Sequence, residues 1–218
     1  MPARYTLVIG TKNWSSWSLR PFLALHATGA PFEEIVLRLR QAETSAQIRR
    51  YSSAGKVPVL KIVENGHTST VWDSLAICET IAERHPSAHL WPEDVEQRAR
   101  ARSYSAEMHS GFPALRAAMP MDFVRTHPMP DLNDDAKGQV ERIIAAWTKA
   151  LARNAGDGFL FGHFSIADCM YAPVVSRFLT YGVELPAQVK AYAQRVAALP
   201  AMKEWGKAAQ AEVDAGLA

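Results

Sequence analysis

The chain has 218 residues, enough for one large domain or two modest ones, each with a core of its own. With 48% hydrophobic and 21% charged residues it has an ordinary globular balance, and a net charge of +2 is too mild to argue for a nucleic-acid partner. No apolar run is long enough to span a bilayer and no leader-like segment precedes the first apolar run, so a reducing cytoplasmic setting without a membrane partner is expected.

In chain order, Tyr5-Thr6-Leu7-Val8-Ile9 reads as a short strand, Lys12 to Arg20 as a loop rich in hydroxyls and tryptophan, and Phe22 to His26 as helix. Gly29-Ala30-Pro31 stops that helix. Phe32 to Leu39 carries Ile35, Leu37 and Leu39 at the period of a strand, and Thr44-Ser45 opens a short helix. Gly55 to Ile62 is a β run interrupted by Pro58. Asn65-Gly66 then accepts the positive φ angles of a tight turn, so a hairpin closes through Thr68 to Trp72. Asp73-Ser74 starts a helix with Leu75, Ile77, Cys78, Ile81 and Ala82 on one face. The order β-α-β-α-β-β-α over residues 1–85 is the plan of a thioredoxin-like domain.

Residues 86–92, with two prolines and a tryptophan, read as a linker, and residues 93–218 as an all-α domain. Helices are expected over Glu93 to Leu115, Asp134 to Asn154, Ser165 to Tyr181, Pro186 to Ala198 and Pro200 to Val213, with an irregular connection over Met119 to Asn133. Ser165-Ile166-Ala167-Asp168 has capping-box spacing. Arg98, Arg100 and Arg102 follow Glu93, Asp94 and Glu96, which reads as a solvated helix face. Cys78 and Cys169 fall inside helical patterns, with no C-x-x-C and no spacing suited to zinc, so both read as small buried apolar residues and no metal is expected.

Three stretches carry chemistry. A strand-loop-helix junction presents unpaired N–H groups and the positive end of a helix dipole, which favours an anion or a thiolate in front of Ser15 and Ser16. Either serine can equally be a plain helix cap. No His or Asp lies nearby in sequence to make a serine nucleophile, but a hydroxyl that donates to a thiolate needs no base. Pro58 suits a trans proline blunting a sheet edge as well as a cis proline that turns the Val57 backbone outward. Asp73-Ser74 suits a helix cap, or a pair that holds the amino and carboxylate groups of an α-amino acid.

Taken together, Ser15-Ser16-Trp17-Ser18-Leu19-Arg20, Lys56-Val57-Pro58, Asp73 to Ile77 and the Ser165/Asp168 box resemble the glutathione transferases, serine-type and zeta-like, over essentially the whole chain. The resemblance implies that Ser15, or Ser16 one register away, hydrogen-bonds the glutathione sulfur. It further implies that Val57, before a cis Pro58, pairs with the cysteinyl backbone, that Asp73 and Ser74 hold the γ-glutamyl end, and that Lys56 approaches the glycyl carboxylate. A free thiol has a pKa of about 8.5. Bringing it to about 6.5 takes about 2.7 kcal/mol of preference for the anion, within reach of a charged hydrogen bond plus a dipole. The thiolate then attacks a small hydrophobic electrophile in a site expected to involve Trp14, Trp17, Met108, His109 and Phe112, with Met108 and Phe112 on one helix face.

The zeta-like isomerases carry a cysteine where this chain has Trp17, which argues against thiol-disulfide chemistry. They also carry an arginine where an ungapped reading from Asp168 finds Thr180, with Arg177 one turn earlier. Glutathione-dependent isomerisation of the maleylacetoacetate or maleylpyruvate type, and a non-catalytic binding protein, are the alternatives. The resemblance also implies a detoxifying enzyme and a homodimer.

Overall fold

A computed structural model of the chain describes residues 3–154 and 158–218. Residues 1–2 and 155–157, which the ranges 1–85 and 93–218 include, lie outside the described residues. Four strands, β1 (Arg4–Gly10), β2 (Phe32–Leu37), β3 (Val59–Glu64) and β4 (His67–Trp72), form one sheet in the order β2-β1-β3-β4. β2 runs parallel to β1, and the other neighbours are antiparallel. The β1 run Leu7-Val8-Ile9 is buried throughout, because both faces of the sheet are covered. Leu7 and Ile9 join Leu60 and Ile62 beneath α1 (Ser16–Thr28) and α3 (Ser74–Arg84), which contribute Leu19, Phe22, Leu23, Ile77, Cys78 and Ile81. Val8 faces the other way and packs with Leu37, Val59 and Ile48 of α2 (Thr44–Arg49). Burial pushes the Cys78 thiol far above its ordinary pKa, so it stays an inert packing group.

The hairpin turns as its residues dictate, with Asn65 at φ 50° and Gly66 at φ 81°. β2 stops at Leu37 rather than Leu39. Leu39 instead folds over the end of β1, where a Cβ on Gly10 would lie 2.7 Å from Leu39 Cδ1. A larger residue at that point would have to displace the Leu39 side chain where β1 enters the following loop.

The rest is helical: α4 (Val95–Ser110), α5 (Pro113–Ala118), α6 (Asp134–Arg153), α7 (Ile166–Thr180), α8 (Ala187–Ala197) and α9 (Pro200–Asp214). α7 is buried on nearly every side and forms the centre of this half. Asp94 and Asn133 cap α4 and α6 by accepting from the Gln97 and Ala136 N–H groups. Pro200 opens α9 in its first turn, whereas Pro186 stands one residue before α8 as its cap. The 85–92 stretch is anchored: it holds a 3-10 turn at Pro86–Ala88, buries Leu90, and lends the Leu90 carbonyl to Ile166 N–H at 2.9 Å.

The helix expected over Glu93 to Leu115 breaks. Pro113 disfavours the α conformation in the residue before it, and Phe112 takes a left-handed φ of 63°. The freed Gly111 and Met108 carbonyls accept from Arg116 Nε and Nη2. Met108 and Phe112 therefore do not share a helix face, and both are core residues at 0% and 6% exposure.

Asp168 begins α7 with the expected box. Its carboxylate accepts from the N–H groups of Ser165 and Leu160 and from the Ser165 hydroxyl. Complete burial outweighs these donors and pushes its pKa up to about 6. The charged form is thus the costly one, and its proton is lost more readily from the unfolded chain. The stability of wild type relative to Asp168→Asn should fall as pH rises from about 4 to about 6, and stay level above that. Urea unfolding midpoints of the two proteins across this window measure it, and a flat difference would contradict the assignment.

Candidate active site

The ends of three strands meet on one side of the sheet. Val8 pairs with Val59 and Val59 with Trp72. The β1–α1 loop follows β1, the Val57-Pro58 bend precedes Val59 and α3 follows Trp72, so all three leave the sheet from the same edge.

Ser15 is the residue before α1, 5% exposed, and its side chain makes no cap bond to the helix. The plain cap expected for that hydroxyl is not formed. Ser15 Oγ lies 2.7 Å from Ser18 Oγ, which accepts the Gly10 N–H at 3.2 Å. A hydroxyl that accepts from a backbone N–H has its own proton to donate. Ser15 is the donor of that pair, so its proton lies on Ser18; rotation of both hydroxyls reverses the bond, with Ser18 donating to Ser15 and the Ser15 proton turned to an acceptor in front of the loop. Ser16 is nearly as buried, and its hydroxyl has no such chain behind it.

The Val57-Pro58 peptide bond is cis, which decides between the two readings of that proline. The β3 ladder begins at Val59, so the Val57 backbone groups take no part in it. Lys56 is exposed. Asp73 sits at φ 75° and caps α3, its Oδ1 accepting from Leu75 N–H at 2.9 Å and Ala76 N–H at 3.3 Å. The neighbouring Ser74 Oγ is buried and accepts from Arg20 Nη1 at 3.3 Å.

The expected electrophile residues separate. Trp17 packs edge-on against His109 at 5.2 Å, with the Arg20 and Arg116 guanidiniums 4.2 and 4.9 Å from its ring centre. His109 Nε2 is 3.0 Å from Asp73 Oδ2, so this histidine bridges α4 to the start of α3. Burial lowers the His109 pKa and Arg20 and Arg116 push the same way, against the opposing pull of Asp73. Trp14 is apart from this group, stacked under Arg40 at 4.2 Å. Met108 and Phe112 belong to the core.

Two arginines of this region carry more than their residue types announced. Arg20 is fully buried, and burial, then Arg116 and Arg177, bring its pKa down to about 9. Burial lowers the pKa of Arg116 too. Arg177 is spent on the Met119 and Pro173 carbonyls, and Thr180 donates to the Asp122 carbonyl. Among the described residues no group of His, Cys, Asp and Glu is arranged to hold a metal ion, and no helix is long and apolar enough to cross a membrane.

Residues 14–84 match the family model described as glutathione S-transferase, N-terminal domain, and residues 130–208 match glutathione S-transferase, C-terminal domain. The maleylacetoacetate isomerase of Rattus norvegicus is 29% identical over 175 residues, covering 78% of this chain and 77% of that one. A glutathione transferase homologue from Burkholderia, solved with bound glutathione, superposes with a TM-score of 0.72 at 25% identity over 95% and 99% of the two chains. The maleylacetoacetate isomerase of Anaeromyxobacter dehalogenans, also solved with glutathione, gives 0.67 at 27% identity over 94% and 96%.

Proposed function

The chain belongs to the glutathione S-transferase family, and from that premise we propose that it is a glutathione transferase, activating the thiol of bound glutathione for attack on an electrophilic carbon. The observation that carries the reading is the buried Gly10, Ser18, Ser15 chain at the start of α1, where the Ser15 hydroxyl can turn its proton from Ser18 to the sulfur while Ser18 donates to Ser15 in its place. A donor aimed at the sulfur favours the thiolate over the thiol, and the α1 dipole acts in the same sense. The Val57 backbone pairs with the cysteinyl segment of the tripeptide. Arg20 donates to Ser74 Oγ, so the Ser74 proton turns toward the γ-glutamyl carboxylate with a buried cation behind it. Asp73 receives the γ-glutamyl ammonium in competition with His109, and Lys56 stands out toward the glycyl end. Trp17, His109 and Arg116 border the electrophile.

A second reading is favoured by one observation. Arg116 and Arg177 both act on Arg20, and of the three only Arg116 is partly open to solvent. A carboxylate on the electrophile would meet that charge, as the names of the isomerase relatives suggest. Arg177 is buried and gives Nε and Nη1 to carbonyls, whereas Arg116, which gives Nε and Nη2 to the Gly111 and Met108 carbonyls, keeps Nη1 without a partner.

Retention on immobilised glutathione, followed by turnover of a chlorinated nitrobenzene and of a carboxylate-bearing unsaturated electrophile, tests both readings. Loss of retention would overturn the glutathione assignment. Retention without turnover of either electrophile would point to a binding protein. We propose a cytoplasmic, detoxifying homodimer as the setting. Light scattering of the purified protein tests the dimer.

A further inference from the structure

The loop that presents Ser15 is held mostly from the helical half. Glu212, in the last turn of α9, takes the Lys12 N–H on Oε1 at 2.9 Å and the Asn13 N–H on Oε2 at 3.0 Å. Trp205 of the same helix donates its indole N–H to the Lys12 carbonyl at 2.9 Å. Asn13 is fully buried: its carbonyl accepts from Phe123 N–H, its side-chain oxygen from Val124 N–H, and its amide donates to Asp122 Oδ1. Lys12 Nζ is paired with Glu34 at 2.6 Å. One residue before them, the Thr11 carbonyl accepts the Ser15 N–H at 2.9 Å. Two consecutive backbone N–H groups converging on one carboxylate make a nest filled from within the chain. An acidic side chain in the last turn opposes the negative end of its own helix dipole, so α9 itself does not call for Glu212 there.

We infer that Glu212 is a positioning residue: its carboxylate fixes the Lys12-Asn13 backbone, and through Thr11 the place of the Ser15 hydroxyl relative to the glutathione sulfur. The inference rests on the role proposed for Ser15. Glu212 touches neither the thiol nor the electrophile. Its effect passes through the loop to the strength of the donor that keeps the thiol ionised.

Glu212→Ala, Glu212→Gln and Glu212→Asp in the full chain test it. Glutamine keeps one acceptor but faces the second N–H with an NH2 group, and aspartate keeps both oxygens on a shorter arm. In the alanine and glutamine variants we expect the pKa of the bound thiol, read from the ultraviolet absorbance of the thiolate, to rise. Conjugation kcat/KM at pH 7 should fall about tenfold and recover at high pH, with the glutathione Kd within about twofold of wild type. Aspartate should restore part of the loss. Amide hydrogen exchange adds a readout that needs no glutathione: the Ser15 N–H should exchange at least about tenfold faster in Glu212→Ala. A lower Tm with an unchanged Ser15 exchange rate and an unchanged thiol pKa would reduce Glu212 to an ordinary strut and overturn the inference. Should wild type bind no glutathione, the function reading fails, and an unaltered Ser15 exchange rate would still overturn the positioning role on its own.

Discussion

Replacing Ser15 by alanine should slow conjugation about 20-fold at pH 7 and hardly at all near pH 9.5. One hydrogen bond to a charged group is worth about 1.5–3 kcal/mol, or about one to two pH units in the pKa of the bound thiol. The α1 dipole and the rest of the glutathione contacts survive the change. At pH 7 the thiolate fraction therefore collapses, while above the raised pKa the thiol ionises unaided. The shape of the pH–rate profile is the discriminating feature, because a damaged fold would lower the rate at every pH. Ser18→Ala should give a smaller shift in the same direction, since Ser15 then loses only the hydroxyl that lines up its proton. Ser16→Ala should leave the profile where it is. If Ser16→Ala moves the apparent pKa and Ser15→Ala does not, the role passes to Ser16.

The parts of this fold that read directly from sequence are those whose physics is local. Asn65-Gly66 needs only two backbone angles, and the Ser165/Asp168 box closes within one helical turn. The order of strands and helices that carries the site follows from short apolar periods. The break between α4 and α5 was also written locally, in Gly111 and Pro113, but the apolar spacing of Met108 and Phe112 ran across it and suggested one helix. Period alone cannot report a left-handed residue. The arginines show a different limit. Nothing near Arg20 or Arg116 in sequence announces burial, because what buries them, the meeting of α1, α3, α4 and α5 around Trp17, is a product of packing. The contact between Glu212 and the Lys12-Asn13 backbone spans 200 residues, and no local pattern encodes it. Of the candidate site, the positions of Ser15, the cis Pro58 and Asp73-Ser74 at the ends of the strands were thus legible. The shell that tunes and holds them was not.

Asp73 separates two functions that a single side chain performs here. Its Oδ1 caps α3 through two N–H groups, and its Oδ2 faces His109 and the space assigned to the γ-glutamyl ammonium. Asp73→Asn keeps an oxygen for the cap and removes the charge. Its stability should change by less than about 1 kcal/mol. Its glutathione Kd should rise by about 10- to 100-fold, the loss of one charge-assisted hydrogen bond. Asp73→Gly removes both cap and charge but suits the φ of 75°, a conformation that costs a non-glycine residue about 1–3 kcal/mol. Glycine should therefore weaken binding at least as much as asparagine while leaving the unfolding midpoint near wild type, because relief of strain offsets the lost cap. Asp73→Ala has neither compensation and should be the least stable of the three. In all of them His109 loses the one neighbour that raises its pKa, so its titration, followed by NMR, should move further down. Calorimetry of glutathione binding with urea unfolding of the same samples decides the matter. An asparagine variant that binds glutathione as wild type does would remove the ammonium from Asp73 and leave that residue as a helix cap with a histidine partner.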